Sequence, residues 1–410
     1  MNFPTETGSL PMTDFQSALY ACSAKHWNHV ADGLVSRVPE TALITPFALS
    51  PEAAQIIGRS TVLPRSVRKL LLRRVNSSGV ANAGGLGAGQ FVLPMFVHLG
   101  LKVPMAIRRQ AMTAQASRVA RVAESLKGRS VVQFTDGFGH RIRRDRTPEA
   151  TIICERRNLH QDIFTQTFET FGNFPHQHLD RDPIESFLLA EYRLADKILV
   201  YSSYARQTFL DRGFDPARVV VAPLPVSLSA TAGSMKPPER DKRRMLFVGR
   251  CEVVKGVDLA VAAARLAGVR ITVAGPASPS VREWLSAQRH VDYVGLQTSE
   301  QLTSLFRSAG ALILPSYESF GLVAFEAAHY GLPVIAADTT GASEYLDLDA
   351  VGTQVRGRSV DTWASAIDRL QTSGREWTML SQRGAEKARM LSPQECTRRW
   401  ANAVFGEGEN

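Results

Sequence analysis

Short apolar segments alternate with helical patterns along the second half of the chain, and this alternation restricts the possible folds more than any other feature. The apolar segments are MLFVGR (245–250), VRITVAG (269–275), ALILPS (311–316), PVIAAD (333–338) and a shorter one at 291–295. Helical periodicity fills the intervals, at 256–267, 279–288, 299–308 and 321–330. Strict alternation of strand and helix predicts a doubly wound parallel sheet with helices on both faces.

The first half of the chain carries a second series of strand patterns. They lie at 15–24, 41–47, 130–135, 151–154, 197–202 and 219–226. Residues 229–244 then mix small, proline and charged residues, a composition typical of linkers. Because 410 residues exceed what one ordinary core supports, the sequence predicts two α/β domains of the Rossmann type that face a central cleft.

These patterns also give the expected domain bounds. We expect a first Rossmann-like domain at 1–228, the linker at 229–244 and a second Rossmann-like domain at 245–392. The final helical stretch, 393–410, is expected to return to the first domain. Ligands of open parallel sheets bind at the carboxyl ends of the strands. We therefore expect ligands at the loops that follow Val248, Ala274, Leu314 and Ala336.

Composition narrows the class of protein. Apolar residues make up 44% of the chain and charged residues 21%, which is ordinary for a globular protein. The net charge of +9 suits an anionic partner: a membrane surface, a nucleic acid or a phosphorylated substrate. The four cysteines are far apart and predict buried, reduced thiols. Neither a membrane-spanning run nor a signal-peptide pattern is visible, so a cytoplasmic location is expected.

The segment GRCEVVKG (249–256) follows a predicted strand and opens a predicted helix. It holds two cations, Arg250 and Lys255, in one loop. Arginine offers a forked contact and lysine a point charge, so the pair suits a diphosphate. The alternative is that Lys255 is a solvated surface residue.

A second loop, PSYESFGLVAFEAAHYGLPVIA (315–336), carries two carboxylates eight residues apart, Glu318 and Glu326. Residues 319–322 lie where the helix begins, and its free N–H groups favour a phosphate. Carboxylates can accept hydrogen bonds from sugar hydroxyls. The small and apolar neighbours of Glu326 predict that it is crowded and needs a partner; the alternative is a capping or solvated glutamate.

Together these segments resemble the group 1 glycosyltransferase family. The pattern is GRxxxxKG, a VGL segment and PSxxESFGLxxxEAxxxGxPVIA, and the resemblance is close over about residues 195–345. It implies the GT-B fold, with the acceptor bound by the first domain. It also implies a retaining transfer of a sugar from a sugar nucleotide, with no metal ion and no cofactor.

The resemblance also implies roles for single residues. Arg250 and Lys255 would bind the donor diphosphate and stabilise the leaving group. Glu318 would orient the transferred sugar, and Glu326 would hold the ribose hydroxyls. The other implied donor-binding residues are Gly249, Gly275, Gly295, Leu296, Ser319, Phe320, Gly321 and Leu322. Glu344 matches a recurrent family glutamate with a structural role at the domain edge.

In the first domain the resemblance is weaker, and the candidates are fewer. His160, in ICERRNLHQDIF, is the candidate contact to donor or acceptor hydroxyls, against the alternative of a core histidine. Glu155, Arg156 and Arg157 either bind an acidic acceptor or form ion pairs with one another. Lys25 and His26 stand where many family members have a Gly-Gly loop, and they are cationic candidates for the acceptor side.

Three further motifs are weighed. AGGLGAG (83–89) resembles a dinucleotide loop but has no clear strand before it, and residues 180–182 imitate a metal-binding DxD motif in a polar stretch. Neither is expected to bind. The basic amphipathic segment 65–74 either contacts an anionic membrane surface or forms an internal helix with solvated arginines. Nucleic-acid binding rests on charge alone and is not expected.

The resemblance therefore implies a retaining hexosyltransferase that uses UDP- or GDP-linked sugar and acts in bacterial surface polysaccharide assembly. The alternatives are a degenerate GT-B scaffold protein, a GT-B phosphorylase and a GT-B epimerase. A phosphorylase would need pyridoxal phosphate on a lysine, and no motif for that is recognisable. An epimerase would not favour this set of arginine, lysine and glutamate residues.

Overall fold

The computed structural model describes residues 14–22, 27–38, 40–44, 55–56, 105–165, 168–175, 185–226, 240–372, 374–388 and 391–406. Elements are numbered here in chain order over those ranges. Two parallel six-stranded sheets dominate them. This confirms the predicted pair of α/β domains.

The first sheet has the strand order β2-β1-β3-β4-β5-β6. Its strands are β1 Ser17–Ala21, β2 Glu40–Ile44, β3 Ser130–Thr135, β4 Ala150–Glu155, β5 Lys197–Val200 and β6 Val219–Val221. Its helices are α1 Trp27–Val35, α2 Met105–Ser125, α3 Glu185–Leu194 and α4 Ser203–Leu210. Every residue of β3 is buried, because helices cover both faces of a parallel sheet.

The second sheet has the order β12-β11-β10-β7-β8-β9. Its strands are β7 Asp241–Val248, β8 Arg270–Ala274, β9 Val291–Gly295, β10 Ala309–Leu314, β11 Val334–Ala337 and β12 Gly352–Val355. Its helices are α5 Val257–Leu266, α6 Pro279–Ser286, α7 Ser299–Ser308, α8 Leu322–His329, α9 Ala342–Tyr345, α10 Leu348–Val351, α11 Val360–Thr372 and α12 Gly374–Lys387. This is the strand order of dinucleotide-binding domains. Successive strands are added in one direction from β7 to β9 and in the opposite direction from β10 to β12, so the switch point lies between β7 and β10.

Local sequence signals explain where several helices start. Helix α6 begins after Ser278, whose hydroxyl accepts a hydrogen bond from the N–H of Val281, and Pro279 occupies its first position. Helix α7 begins with a complete capping box between Thr298 and Gln301. These caps fix the loops that leave β8 and β9 at the edge of the sheet where ligands bind.

The predicted linker is wrong at its carboxyl end, because β7 begins at Asp241 rather than at 245. The polar start of this strand, DKRR, hid its strand character. Arg244 is held there by Asp292 of β9, with 2.9 Å between nitrogen and oxygen. Residues 229–239 of the predicted linker lie outside the described residues.

The last helix, α13 (Pro393–Phe405), packs against α1 and β6 of the first domain. The indole N–H of Trp400 donates to the side-chain oxygen of Gln133 at 3.1 Å. The ammonium group of Lys197 donates to the carbonyls of Ala403 and Val404, both at 2.9 Å. Since those carbonyls end the helix, the lysine neutralises its negative end.

The four cysteines are buried free thiols, as predicted. A search of the described residues finds no helix with the length and apolar character needed to cross a membrane.

Candidate functional site

The loops that leave β7 and β10 meet at the point where the second sheet reverses direction. They enclose a cavity of about 350 Å³. Its lining residues are Phe247, Val248, Gly249, Arg250, Lys255, Leu314, Glu318, Leu322, Val323 and Glu326. The cavity therefore brings together both predicted cations and both predicted carboxylates.

Lys255 and Glu318 form an ion pair inside this cavity. Their nearest nitrogen and oxygen atoms are 3.1 Å apart, and the side chains are 18% and 26% exposed. The hydroxyl of Ser316 donates to the other carboxylate oxygen of Glu318 at 3.1 Å. A partly exposed pair of this kind can exchange partners, so the lysine can turn to a phosphate and the carboxylate to a hydroxyl.

The two loops touch each other through backbone groups, and Gly256 is required for this. Its φ angle is +71°, and a Cβ atom there would lie 2.3 Å from the carbonyl oxygen of Pro315. Only glycine adopts this conformation without strain and leaves room for the carbonyl. The N–H of Tyr317 also donates to the carbonyl of Val254 at 3.0 Å. Lys255 and Glu318 are thus positioned by directly paired backbones.

Arg250 lies at the mouth of the cavity. Its side chain is 57% exposed and pairs with Glu252 at 3.0 Å. Exposed pairs contribute little to stability, so the guanidinium can leave Glu252 for a ligand at small cost.

Helix α8 points its amino end at the same cavity. Gly321 precedes the helix and supplies no side-chain cap, so the first N–H groups of the helix have no capping side chain. Ser319 is buried, and its hydroxyl makes no hydrogen bond to the described residues. Phe320 is also buried, with its ring stacked on that of Phe325 at 5.0 Å, so only its backbone can serve a ligand.

Glu326 corrects one expectation. The sequence predicted a crowded glutamate, but the structure exposes it on the solvent side of α8 while its neighbours Phe325 and Ala327 are buried. The helical period explains this, because adjacent residues point in different directions. Glu326 lines the cavity little more than one turn along the helix from Gly321.

The implied base-binding segment is formed by backbone. Gly275 has a φ angle of +142°, and a Cβ atom there would lie 1.8 Å from the carbonyl oxygen of Gly249. Its N–H donates to the carbonyl of Gly295 at 2.8 Å. Leu296 follows the end of β9 with 80% of its surface exposed. These residues place three strand ends side by side next to the cations.

His160 is enclosed in the first domain, which does not support a contact with substrate. Its side chain is 4% exposed, and its ring lies 5.0–5.8 Å from the rings of Tyr192, Phe209 and Phe214. Burial lowers the pKa of His160 to about 4. The core-histidine alternative describes this environment.

Glu155 and Arg156 are also buried, which does not favour their contact with an acceptor. Glu155 accepts hydrogen bonds from the hydroxyls of Tyr20 and Tyr201, at 3.0 and 2.6 Å, and from the amide of Gln133 at 2.8 Å. Arg156 pairs with Asp136 at 3.1 Å rather than with Glu155. Partners from neighbouring strand ends therefore satisfy both groups inside the fold.

Arg157 is the member of this group that keeps accessible surface. Its side chain is 33% exposed, and its Nε lies 3.7 Å from the carboxylate of Asp136. Asp136 was missed by the sequence reading, although the Asp-Gly pair directly after buried β3 marks a turn at the carboxyl end of a strand.

Lys25, His26, the segment 65–74 and the motifs at 83–89 and 180–182 lie outside the described residues. Among the part of the chain that is described, no three His, Cys, Asp or Glu side chains are grouped as metal ligands.

Glu344 joins the two domains. Its carboxylate accepts hydrogen bonds from the N–H of Ser203 at 2.6 Å and from its hydroxyl at 3.1 Å. Ser203 begins helix α4 of the first domain, so the charge also lies at a positive helix end. Next to it, the hydroxyl of Ser202 donates to the carbonyl of Ser319 at 2.7 Å. The backbone of the loop that follows β10 is thereby tied to the first domain.

Comparison with solved structures defines the class. Over 94% of this chain and 98% of the other, the fold superposes on a sucrose-phosphate synthase from Thermosynechococcus elongatus with a TM-score of 0.62 at 17% identity. A lipopolysaccharide outer core galactosyltransferase gives 0.60 at 16% identity, over 95% and 99%. Anabaena HepE, solved with UDP and glucose, gives 0.56 at 12% identity, over 96% and 100%. The molecule has the GT-B fold.

The family follows from sequence. Residues 234–387 match the family described as glycosyl transferases group 1. The D-inositol 3-phosphate glycosyltransferases of Mycobacterium bovis and Mycobacterium tuberculosis are 35% identical over 225 residues, which is 50% of this chain and 47% of theirs. The chain thus spans about half the length of these curated relatives. Residues 234–387 therefore form a domain of the group 1 glycosyltransferase type.

Proposed function

We propose that the protein transfers a hexose from a nucleotide-diphosphate sugar to a glycan or lipid-linked acceptor, with retention of the anomeric configuration. The pathway we propose is the assembly of a bacterial surface polysaccharide. The observation that carries the proposal is the cavity that gathers Arg250, Lys255, Glu318 and Glu326 at the switch point of the second sheet. Ligands bind at this point in doubly wound folds.

In this proposal the donor diphosphate lies between Arg250, Lys255 and the amino end of α8. Negative charge grows on the diphosphate as its bond to the sugar breaks, and fixed cations and amide groups stabilise such charge strongly. Lys255 then exchanges Glu318 for phosphate. The freed carboxylate of Glu318 accepts hydrogen bonds from the transferred sugar, and Glu326 accepts them from the ribose. Two protein cations perform the task of a divalent ion, so activity without metal is expected.

Arg157 is the proposed acceptor contact that remains in the first domain. Its half-buried guanidinium lies at the carboxyl end of β4, held by Asp136, so it can meet a hydroxyl or an acidic group of the acceptor. Lys25 and His26 remain proposals for the same side. A lipid-linked acceptor would bring the protein to a membrane surface, and the segment 65–74 is the proposed contact.

The test is calorimetric titration with UDP, GDP and ADP, with and without EDTA, followed by hydrolysis of the matching sugar nucleotides. We expect one base to be preferred, no effect of EDTA and loss of binding in Lys255→Ala. Lys387→Ala is the matched control, because Lys387 also pairs with a carboxylate, that of Asp347 at 3.5 Å, but does not line the cavity.

The titration also separates the alternatives. Absence of binding for every nucleotide would favour the degenerate scaffold. Dependence on pyridoxal phosphate would favour a phosphorylase, and free epimerised sugar nucleotide as the product would favour an epimerase.

A further inference from the structure

Residues 168–175, here called the strap, lie between β4 and α3 of the first domain in sequence but pack into the core of the second domain. Phe174 is buried there, with its ring edge-on to that of Trp284 at 4.9 Å. The indole N–H of Trp284 donates to the carbonyl of Gly172 at 2.7 Å. The strap is therefore anchored on the second domain by an aromatic contact and a hydrogen bond.

A buried ion pair of the second domain, here called the anchor, holds the backbone in the middle of the strap. Asp258, in the first turn of α5, is fully buried and pairs with Arg358 at 3.2 Å. The same carboxylate accepts a hydrogen bond from the N–H of Phe171 at 3.3 Å, and Arg358 donates to the carbonyl of Glu169 at 3.2 Å. The guanidinium also lies 5.7 Å from the ring of Phe168.

The strap and its anchor contact both donor loops, which are the loops at 249–256 and 315–321 that carry Lys255 and Glu318. The ring of Phe168 lies 4.9 Å from that of Tyr317, the residue directly before Glu318. Arg358 donates to the carbonyl of Val253 at 3.5 Å, two residues before Lys255. Phe168 packs against the cores of both domains. Movement of the strap would therefore displace the backbones that carry the catalytic pair.

We infer that the strap positions the two donor loops, with Phe168 and Arg358 as positioning residues, so that a segment of the first domain sets the geometry of the donor site in the second. This inference rests on the proposed function for its effect on the nucleotide. The Lys255–Glu318 pair spans 3.1 Å, and misplacement of such groups by about 1 Å can reduce a rate about a hundredfold.

The experiment compares Phe168→Ala with Phe168→Tyr, which keeps the ring, and with Phe187→Ala. Phe187 is a half-buried phenylalanine of α3 that stacks on His140 within the first domain, so its truncation matches the chemical change. Two readouts are used. Hydrogen–deuterium exchange reports on peptides spanning 249–256 and 315–321, and calorimetry reports UDP, GDP and ADP affinity.

Phe168→Ala is expected to accelerate exchange in both loops about tenfold and to weaken nucleotide binding about fivefold. Phe168→Tyr is expected to restore both quantities, and Phe187→Ala to change neither. If Phe168→Ala does not fold, Tyr317→Leu removes the same ring contact from the other side and should reproduce the effect.

Unchanged loop exchange and unchanged affinity in Phe168→Ala would overturn the inference, as would equal acceleration in Phe187→Ala. If the unaltered protein binds none of the three nucleotides while Phe168→Ala still accelerates exchange in the two loops, the proposed function fails and the positioning role of the strap is upheld.

Discussion

The two domains treat their charged groups in opposite ways at corresponding strand ends. In the second domain, Lys255 and Glu318 remain partly exposed and face a cavity. In the first domain, Asp136 and Arg156 follow β3 and β4 and are almost completely buried against each other. Oppositely charged pairs at the same edge of a parallel sheet thus face a cavity in one domain and are enclosed in the fold in the other.

Desolvation explains why the difference matters. A buried ion pair has lost its hydration, so removal of one partner leaves the other charge without compensation. The groups of a partly exposed pair remain hydrated, so either group can exchange the other for a ligand at little cost in free energy. Substitutions in the Asp136–Arg156 pair should therefore reduce stability, and substitutions in the Lys255–Glu318 pair should reduce activity.

The largest expected effect is on stability, from Asp136→Asn. The substitution leaves the guanidinium of Arg156 buried without its counter-charge, so we expect a loss of about 4 kcal/mol in the free energy of unfolding. Urea denaturation measures it. Asp145→Asn, at an exposed pair with Arg143, is the control and should leave the midpoint unchanged. A stable Asp136→Asn protein that has lost sugar transfer would assign Asp136 to the site instead.

The next effect is on activity, from Lys255→Ala. Loss of a preorganised cation from the leaving group should reduce kcat about a hundredfold to a thousandfold, equivalent to about 3–4 kcal/mol. Initial rates of sugar-nucleotide hydrolysis give the value. The melting temperature should remain close to that of the unaltered protein, because the lysine is partly exposed. A fall in melting temperature with an unchanged rate would remove the contrast between the domains.

The third effect concerns pH and His160. Burial lowers its folded-state pKa to about 4 from an ordinary 6.5, opposed by Asp162 and assisted by Arg212 and Arg156. Between those values the unfolded chain binds a proton that the folded chain does not, so stability is lost as the pH falls from about 6.5 to about 4. The stability lost over this range because of this residue is about 3 kcal/mol.

Unfolding titrations of His160→Phe across that range test the prediction. The substituted protein should lose stability less steeply at acidic pH and should retain its transfer rate at neutral pH. His140, whose pKa burial also lowers to about 4, keeps a residual slope in the same direction in both proteins. Loss of transfer at neutral pH in a stably folded His160→Phe protein would restore the sequence assignment of His160 as a substrate contact.

The sequence indicated which charged side chains of the second domain meet in the cavity, because these residues lie close together along the chain. The cations lie within one loop, the carboxylates within one loop and helix, and each loop follows an apolar strand that fixes its position. Side-chain exposure was not readable in the same way. The composition around Glu326 indicated crowding, whereas the helical period turns this residue towards solvent.

In the first domain, the charged residues are paired with residues from distant segments, so motifs could not predict their partners. The three donors to Glu155 lie 135, 22 and 46 residues away in sequence. Arg156 pairs with Asp136 at the neighbouring strand end, and His160 packs against three rings from two other segments. The strap went unnoticed for the same reason, since nothing near Phe168 in sequence indicates Tyr317 as its neighbour.

The smallest expected effect is on nucleotide affinity, from substitution of Glu326. An exposed carboxylate that accepts hydroxyl hydrogen bonds from a ligand should contribute to binding but not to folding. Glu326→Ala should weaken nucleotide affinity about tenfold, or about 1.4 kcal/mol, and leave the melting temperature unchanged. Calorimetry with the preferred nucleoside diphosphate measures the affinity, and Glu386→Ala, at an exposed glutamate of α12, is the control.

The 2′-deoxy form of the same nucleotide makes the assignment specific. If Glu326 accepts a hydrogen bond from the ribose 2′-hydroxyl, the unaltered protein should bind the deoxy form more weakly, and Glu326→Ala should bind both forms alike. Additive losses from the two changes would mean that the carboxylate and the hydroxyl do not meet. Glu326 would then act on the nucleotide through another of its hydroxyls or through a neighbouring residue of the cavity, and its assignment to the 2′-hydroxyl would be wrong.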